Sequence, residues 1–135
     1  MEFVPATEQD LPEIKQMANQ SLKSQHSLQF FLNHLKDFFY VAKEKGKILG
    51  FIIVRGKRLV LIVVDKSARR MGLGSSLVEF ALQHFPELEL KVRASNKGAI
   101  EFYKRTGWEL VGEAKVGYRN GEKGFVFRKR ATKKI

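Results

Sequence analysis

Cysteine is absent from the 135 residues. That excludes a disulfide, a thiolate nucleophile and any cysteine-ligated zinc or iron–sulfur site. It also fits a reducing compartment. Long apolar runs are missing as well. The longest, Leu59–Val64, has six residues, against roughly 20 for a membrane helix. The start, Met1-Glu2-Phe3-Val4-Pro5, lacks the basic and apolar stretches of a signal peptide, so a cytoplasmic protein without membrane contact is expected. No proline follows Pro86, and late strands can run uninterrupted. Acidic residues are scarce: 14 against 25 lysines and arginines, a formal charge of +11. Such a surface attracts polyanions and small anions alike, so an anionic partner is one expectation. The alternative is plain solubility, because part of the excess sits in Arg128-Lys129-Arg130 and Lys133-Lys134.

What is present suffices for one compact domain, expected over residues 1–130, with 131–135 a short basic tail. Glu2–Val4 is too short to prove a strand. Thr7 and Asp10 suggest a capping box, opening a helix from about Glu8 to Ser21 in which Pro12 is a misfit for a cap at Thr7, tolerable only because it lies in the first turn or so. Leu28, Phe31, Leu32 and Leu35 mark a second helix. Strands follow at Phe38–Ala42, Ile48–Arg55 and Leu59–Val64, joined by tight turns as an antiparallel meander. The last is apolar on both faces and is expected to be covered on both sides. A helix through Leu73, Leu77, Phe80 and Ala81 stops before Pro86, with His84 expected near the core at its end. Leu88, Leu90 and Val92 alternate as a strand with one wetter face, and Ser95 or Asn96 can cap a short helix ending at Gly107. Trp108, Leu110, Ala114, Val116 and Tyr118 lead into an Asn120-Gly121 turn, and Phe125-Val126-Phe127 lead out. The order is β-α-α-β-β-β-α-β-α-β-β, a mixed α/β (α+β) sheet with helices against it.

The chemistry concentrates where the third of those strands ends. Val63-Val64-Asp65-Lys66-Ser67-Ala68-Arg69-Arg70-Met71-Gly72-Leu73-Gly74-Ser75-Ser76 is a strand, a basic loop and a glycine-rich helix start. Free N–H groups at a helix start, with the helix dipole, favour an anion. Gly72 and Gly74 leave room for a bulky one, and Arg69 and Arg70 add charge. A phosphate or pyrophosphate fits; the alternative is an ordinary basic loop. Neither the dinucleotide fingerprint nor the P-loop is present: the place reserved for the last small residue of the former is Leu77, and no G-K-[S/T] string occurs.

Two strings carry a family resemblance. Arg69-Arg70-Met71-Gly72-Leu73-Gly74 matches [Q/R]-x-x-G-x-[G/A]. The stretch from Asn96 through Ala99, Phe102, Tyr103 and Gly107 to Trp108 matches N-x-x-A-x-x-[F/L/Y]-Y-x-x-x-G-[F/W]. Together, in this order, they resemble the GCN5-related N-acetyltransferases, the GNAT family, over nearly the whole chain. The resemblance implies a mostly antiparallel sheet with helices on both faces. It also implies that the central fourth and fifth strands (Leu59–Val64 and Leu88–Val92) run parallel and splay apart. It implies an acetyl-CoA-dependent N-acetyltransferase, without metal, acting on a primary amine of a small molecule or peptide. Backbone amides from Arg69 and Arg70 through Met71, Gly72, Leu73 and Gly74 to Ser75 would hold the pyrophosphate of coenzyme A. Groups around Val63 and Val64 would pair with its pantetheine arm, and Asn96 would support the cofactor side. Lys104 or Arg105 are candidates for a ribose phosphate. Tyr103 matches the tyrosine that protonates the leaving thiolate, a role phenol can fill at neutral pH; its bland alternative is a core aromatic beside Phe102.

No base is evident. Leu59–Val64 has neither acid nor histidine; Asp65, Glu109, Glu113, His26 and His34 remain candidates, and solvent is another. Arg70-Met71 also departs from the glycine and basic residue common in relatives. Acceptor-side segments by resemblance are Ser21-Leu22-Lys23-Ser24-Gln25-His26, Tyr40, Tyr118 and Arg119. They hold no acidic cluster, so an uncharged or anionic acceptor, or a peptide N-terminus, is expected. The alternatives are a catalytically silent coenzyme A binder and a nucleic-acid-associated protein of the same fold. Monomer and homodimer both remain open.

Overall fold

The computed structural model describes residues 1–22, 25–114 and 121–132. Lys23, Ser24, Val116, Tyr118, Arg119, Asn120, Lys133 and Lys134, named above, lie outside them. The chain divides into two compact units, Met1–Ala81 and Leu82–Ile135.

In the first unit, strands β1 (Glu2–Pro5), β2 (Phe38–Glu44), β3 (Lys47–Arg55) and β4 (Arg58–Val64) pair antiparallel in sequence order. Register puts Phe39 opposite Ile53, Val41 opposite Phe51, and Phe51 opposite Val63. Strand alternation therefore stacks these side chains on one face. Helices α1 (Leu11–Ser21) and α2 (Leu28–His34) cover that face with Leu11, Ile14, Met17, Ala18 and Phe31, all buried. The opposite face carries Phe38, Tyr40, Gly50 and Ile52, and α3 (Leu73–Leu82) lies over it. Phe80 of α3 sits 5.2 Å from Phe3, 5.8 Å from Phe38 and 5.0 Å from Tyr40 between ring centroids. A side chain at Gly50 would put its Cβ 3.0 Å from the Val63 carbonyl and 3.3 Å from Leu73, so glycine lets α3 seat against the sheet.

Three details differ from expectation. The first helix does not begin at Glu8. Glu8–Asp10 is a 3-10 turn, in which the Asp10 carboxylate accepts from the Thr7 amide (2.9 Å) and hydroxyl (3.0 Å). α1 proper starts at Leu11, which puts Pro12 in its first turn, where an N–H has no partner to lose. The strand buried along its length is β3, from Ile48 through Val54, whereas β4 buries only Leu59 and Val63. An all-apolar run records hydrophobicity, but burial follows from its neighbours. His84 lies beyond α3 and is exposed, not near the core.

The second unit holds β5 (Glu87–Arg93), α4 (Lys97–Arg105), β6 (Glu109–Ala114) and β7 (Gly124–Arg130). β7 pairs antiparallel with both β5 and β6, aligning Leu90, Phe127 and Leu110. Leu88, Leu90 and Val92 are buried, as their alternation predicts. Asn96 is the cap of α4, its Oδ1 accepting from Ala99 N at 3.3 Å. The helix ends at Arg105 with Thr106 as its cap, the left-handed Gly107 follows, and the Trp108 amide returns to the Tyr103 carbonyl at 2.9 Å.

Candidate active site

The loop after β4 is built by local hydrogen bonds. Asp65 caps a 3-10 turn spanning Lys66–Met71, its Oδ2 accepting from the Ser67 amide (3.1 Å) and hydroxyl. Those two bonds, the hydroxyl first, hold the Asp65 carboxyl below the usual aspartate range, with Lys47 and Arg69 adding to the effect. A carboxylate so engaged is a cap and a poor proton acceptor at neutral pH. The loop ends at Gly72, whose φ of 73° and ψ of 19° are left-handed. A Cβ there would meet nothing within 4 Å. The conformation, not crowding, calls for glycine.

α3 begins at the next residue. Its first bond runs from Ser76 N to Gly72 O at 3.0 Å, reinforced by the Ser76 hydroxyl at 3.1 Å. Helix geometry leaves the amides of Leu73, Gly74 and Ser75 without intrahelical acceptors. A right-handed turn followed by a left-handed residue also makes a concave array of N–H groups suited to an anion. Arg69, Arg70, Met71, Gly72 and Ser75 are all exposed there, while Leu73 is buried as an anchor.

Sheet pairing decides which backbone groups of β4 are available. The Asp65 amide donates to the Leu49 carbonyl at 2.8 Å. Alternation then turns the peptide groups of Val63 toward β3, and those of Val64 away from it. Of the two expected partners for an extended ligand, Val64 alone turns its N–H and C=O away from β3. Val63 contributes a buried side chain.

The remaining candidates belong to the second unit. Tyr103 on α4 is half-buried, with ring centroids 5.6 Å from Trp108 and Phe102 and 5.9 Å from Phe127. Its hydroxyl makes no hydrogen bond among the described residues, and it is not among the sealed, unpaired polar atoms. Burial pushes the phenol above its ordinary value, so it holds its proton throughout the neutral range. Lys104 and Arg105 are exposed, Arg105 lying 5.9 Å over the Phe102 ring.

Among the candidate bases, Glu113 pairs with Lys123 at 3.5 Å and Glu109 with Arg128 at 3.6 Å. His26 stacks on Phe30 at 4.6 Å, and its backbone is clamped by Asn19 through bonds of 2.8 and 3.1 Å. Burial lowers its pKa, which keeps the ring neutral. His34 places Nδ1 2.8 Å from Asp37 Oδ2. That pairing went unread in the sequence, although a spacing of three across a helix end is its signal. Tyr40 faces α3, away from α1 and α2. Among the described residues no cluster of His, Asp and Glu could hold a metal, and no helix is long and apolar enough to cross a membrane.

A family model described as "Acetyltransferase (GNAT) domain" matches residues 6–129. The chain is 27% identical over 142 aligned residues to an N-alpha-acetyltransferase of Sulfurisphaera tokodaii, covering 87% of this chain and 85% of that protein. It is 38% identical over 73 residues to the peptidyl-lysine N-acetyltransferase YiaC of Escherichia coli, covering 53% and 50% respectively. Among solved structures, Ard1 from Thermoplasma volcanium matches with a TM-score of 0.82 at 24% identity over 98% of both chains. The ribosomal-protein-S18-alanine N-acetyltransferase of Escherichia coli matches with a TM-score of 0.78 at 22% identity, over 99% of this chain and 96% of that one. At these identities the two structures share the fold with this chain.

Proposed function

The chain belongs to the GNAT acetyltransferase family, and from that premise we propose that it transfers the acetyl group of acetyl-CoA directly to the α-amine of a peptide N-terminus. The observation that carries the coenzyme half is the left-handed Gly72 opening α3 beside Arg69 and Arg70. Three unpartnered amides and an open concavity suit a pyrophosphate. When bound, acetyl-CoA supplies an activated acyl thioester. Arg70 to Ser75 hold the phosphates through backbone N–H groups, and Val64 offers its outward peptide groups to the amide-containing arm. Asn96 keeps the start of α4 in place as its cap, and the exposed Lys104 or Arg105 would meet a ribose phosphate of the coenzyme. Tyr103 keeps its proton at neutral pH and would deliver it to the departing sulfur, while the attacking nitrogen sheds its proton to solvent and the phenolate regains one from there.

The acceptor follows from the base. Asp65 is engaged as a cap, so the reaction favours an amine that needs little help to lose its proton. An α-amine (pKa about 7.8) is neutral at pH 7 roughly 300 times more often than a lysine amine (about 10.4). The net charge of +11 also disfavours polycationic acceptors. The relative named for N-alpha-acetylation aligns over 87% of this chain, the one named for peptidyl-lysine acetylation over only 53%, and that difference supports the same direction.

The test has two arms. Calorimetric titration compares acetyl-CoA with ATP and NAD in one buffer. Mass spectrometry then follows acetylation of peptides with free N-termini, peptides with blocked N-termini carrying lysine, and spermine. Selective acetyl-CoA binding with modification of free N-termini is expected. Selective binding without transfer to any amine would reduce the protein to a coenzyme A binder. Unselective binding would overturn the coenzyme site, and preferred modification of spermine would overturn the acceptor.

A further inference from the structure

Arg69 stands in the anion-binding loop, yet its side chain turns back toward the strand. Its Nε donates to the Val64 carbonyl at 3.2 Å. That carbonyl is the last of β4, and pairing with β3 faces it away from the ladder. The carbonyl therefore has no sheet partner in β3, and the guanidinium supplies one from five residues downstream.

Other bonds show what this one closes. Asp65 binds Leu49 through its amide and Ser67 through its carboxylate. Ala68 donates to the Asp65 carbonyl at 2.9 Å and is fully buried. These ties hold the first half of the turn. The Arg69–Val64 bond is the next along the chain, and the residues it leads into are Arg70, Met71 and the left-handed Gly72. Among the described residues, no other side chain from Lys66 to Met71 bonds to β4.

We infer that Arg69 is a positioning residue, whose Nε–H braces the end of β4 and so sets the loop that presents Gly72 and the first amides of α3. It is not a charge held ready for phosphate. The inference rests on the coenzyme reading above for its consequence in binding, and on the Val64 bond alone for its consequence in the loop. A carbonyl has two lone pairs, so Val64 can keep this bond and still accept from a bound ligand.

The chemistry separates a brace from a charge. Glutamine carries an N–H donor on Cδ, the carbon that bears Nε in arginine, and it is uncharged. Lysine keeps the charge but has a methylene at that place, with its ammonium one atom farther out. Arg69→Gln thus preserves the donor and removes the charge, Arg69→Lys does the reverse, and Arg69→Met removes both. Arg69 is exposed, so all three variants keep the core.

Each variant is titrated with acetyl-CoA at low and high salt, and amide exchange across residues 64–76 is measured without ligand. With the brace, Arg69→Lys and Arg69→Met weaken binding about tenfold, the usual effect of losing a charged-donor hydrogen bond. Their loop amides exchange faster. Arg69→Gln restores affinity to within about threefold, keeps the wild-type salt dependence, and exchanges at the wild-type rate. Wild-type affinity in Arg69→Lys beside loss in Arg69→Gln, with a flattened salt dependence, would identify a phosphate-binding charge and overturn the inference. Equal exchange in all three variants would overturn it too. If the wild type fails to bind acetyl-CoA while exchange follows the donor, the coenzyme reading falls and the brace stands.

Discussion

Replacing Tyr103 by phenylalanine isolates a single proton. The ring lies against Trp108, Phe102 and Phe127, and phenylalanine keeps those contacts. The hydroxyl makes no hydrogen bond among the described residues, so its removal leaves no orphaned partner. The stability change should stay within about 0.5 kcal/mol, the range of substitutions that break no named interaction. A positioned general acid contributes about 10²–10⁴-fold, equivalent to about 3–5 kcal/mol of barrier. Tyr103→Phe is therefore expected to lower kcat at least a hundredfold. The dissociation constant for acetyl-CoA should stay within about twofold, with an unchanged melting temperature. The assay is steady-state release of free coenzyme A thiol with a free N-terminal peptide, beside calorimetry and thermal unfolding. Burial raises the phenol pKa, so loss of the acid by ionisation begins only above the ordinary value of about 10. The stability linked to that proton is likewise intact below about pH 10 and declines as pH rises through the folded value. Turnover within a few-fold of wild type would refute the acid role and return Tyr103 to the core. So would a loss fully explained by unfolding.

Three further outcomes follow from the geometry. Gly72→Ala should cost about 1–2 kcal/mol in left-handed strain, read as a melting temperature lower by several degrees, with Gly72→Asn recovering most of it; both should weaken acetyl-CoA binding, and wild-type affinity in the stable asparagine variant would sink the cradle. Asp10 is pushed up by burial, but bonds from Lys43 at 2.8 Å and from Thr7 outweigh this and hold its carboxyl below the usual range. Its stabilising contribution is thus present above about pH 4 and lost as pH falls through the folded value; Asp10→Asn should lower the urea midpoint at pH 7 and match wild type near pH 2. His26 is held below the ordinary histidine value by burial, so its contribution is whole above about pH 6.5 and declines below it. Denaturation at pH 5 and pH 7.5 should show that dependence flattened in His26→Phe.

Local signals were legible in the chain. The order of strands and helices, the alternation at Leu88, Leu90 and Val92, and the run Arg69–Gly74 each reside in a few neighbouring residues. Periodicity and glycine act at that range, so the sequence by itself determined the elements, the family resemblance and the place of a glycine-opened helix start beside two arginines. Tertiary structure decided how the pieces are used. Whether Val63 or Val64 turns its peptide groups outward depends on the bond from Asp65 to Leu49, sixteen positions back. That Asp65 is a cap and that Arg69 reaches Val64 depends on the path of the loop, which composition does not encode. The apolar run of β4 was expected to be covered on both sides, yet the strand buried from Ile48 through Val54 is β3, between β2 and β4 with helices on both faces. Facing, register and burial are properties of contacts between residues far apart in the chain, and no window of neighbouring residues contains them.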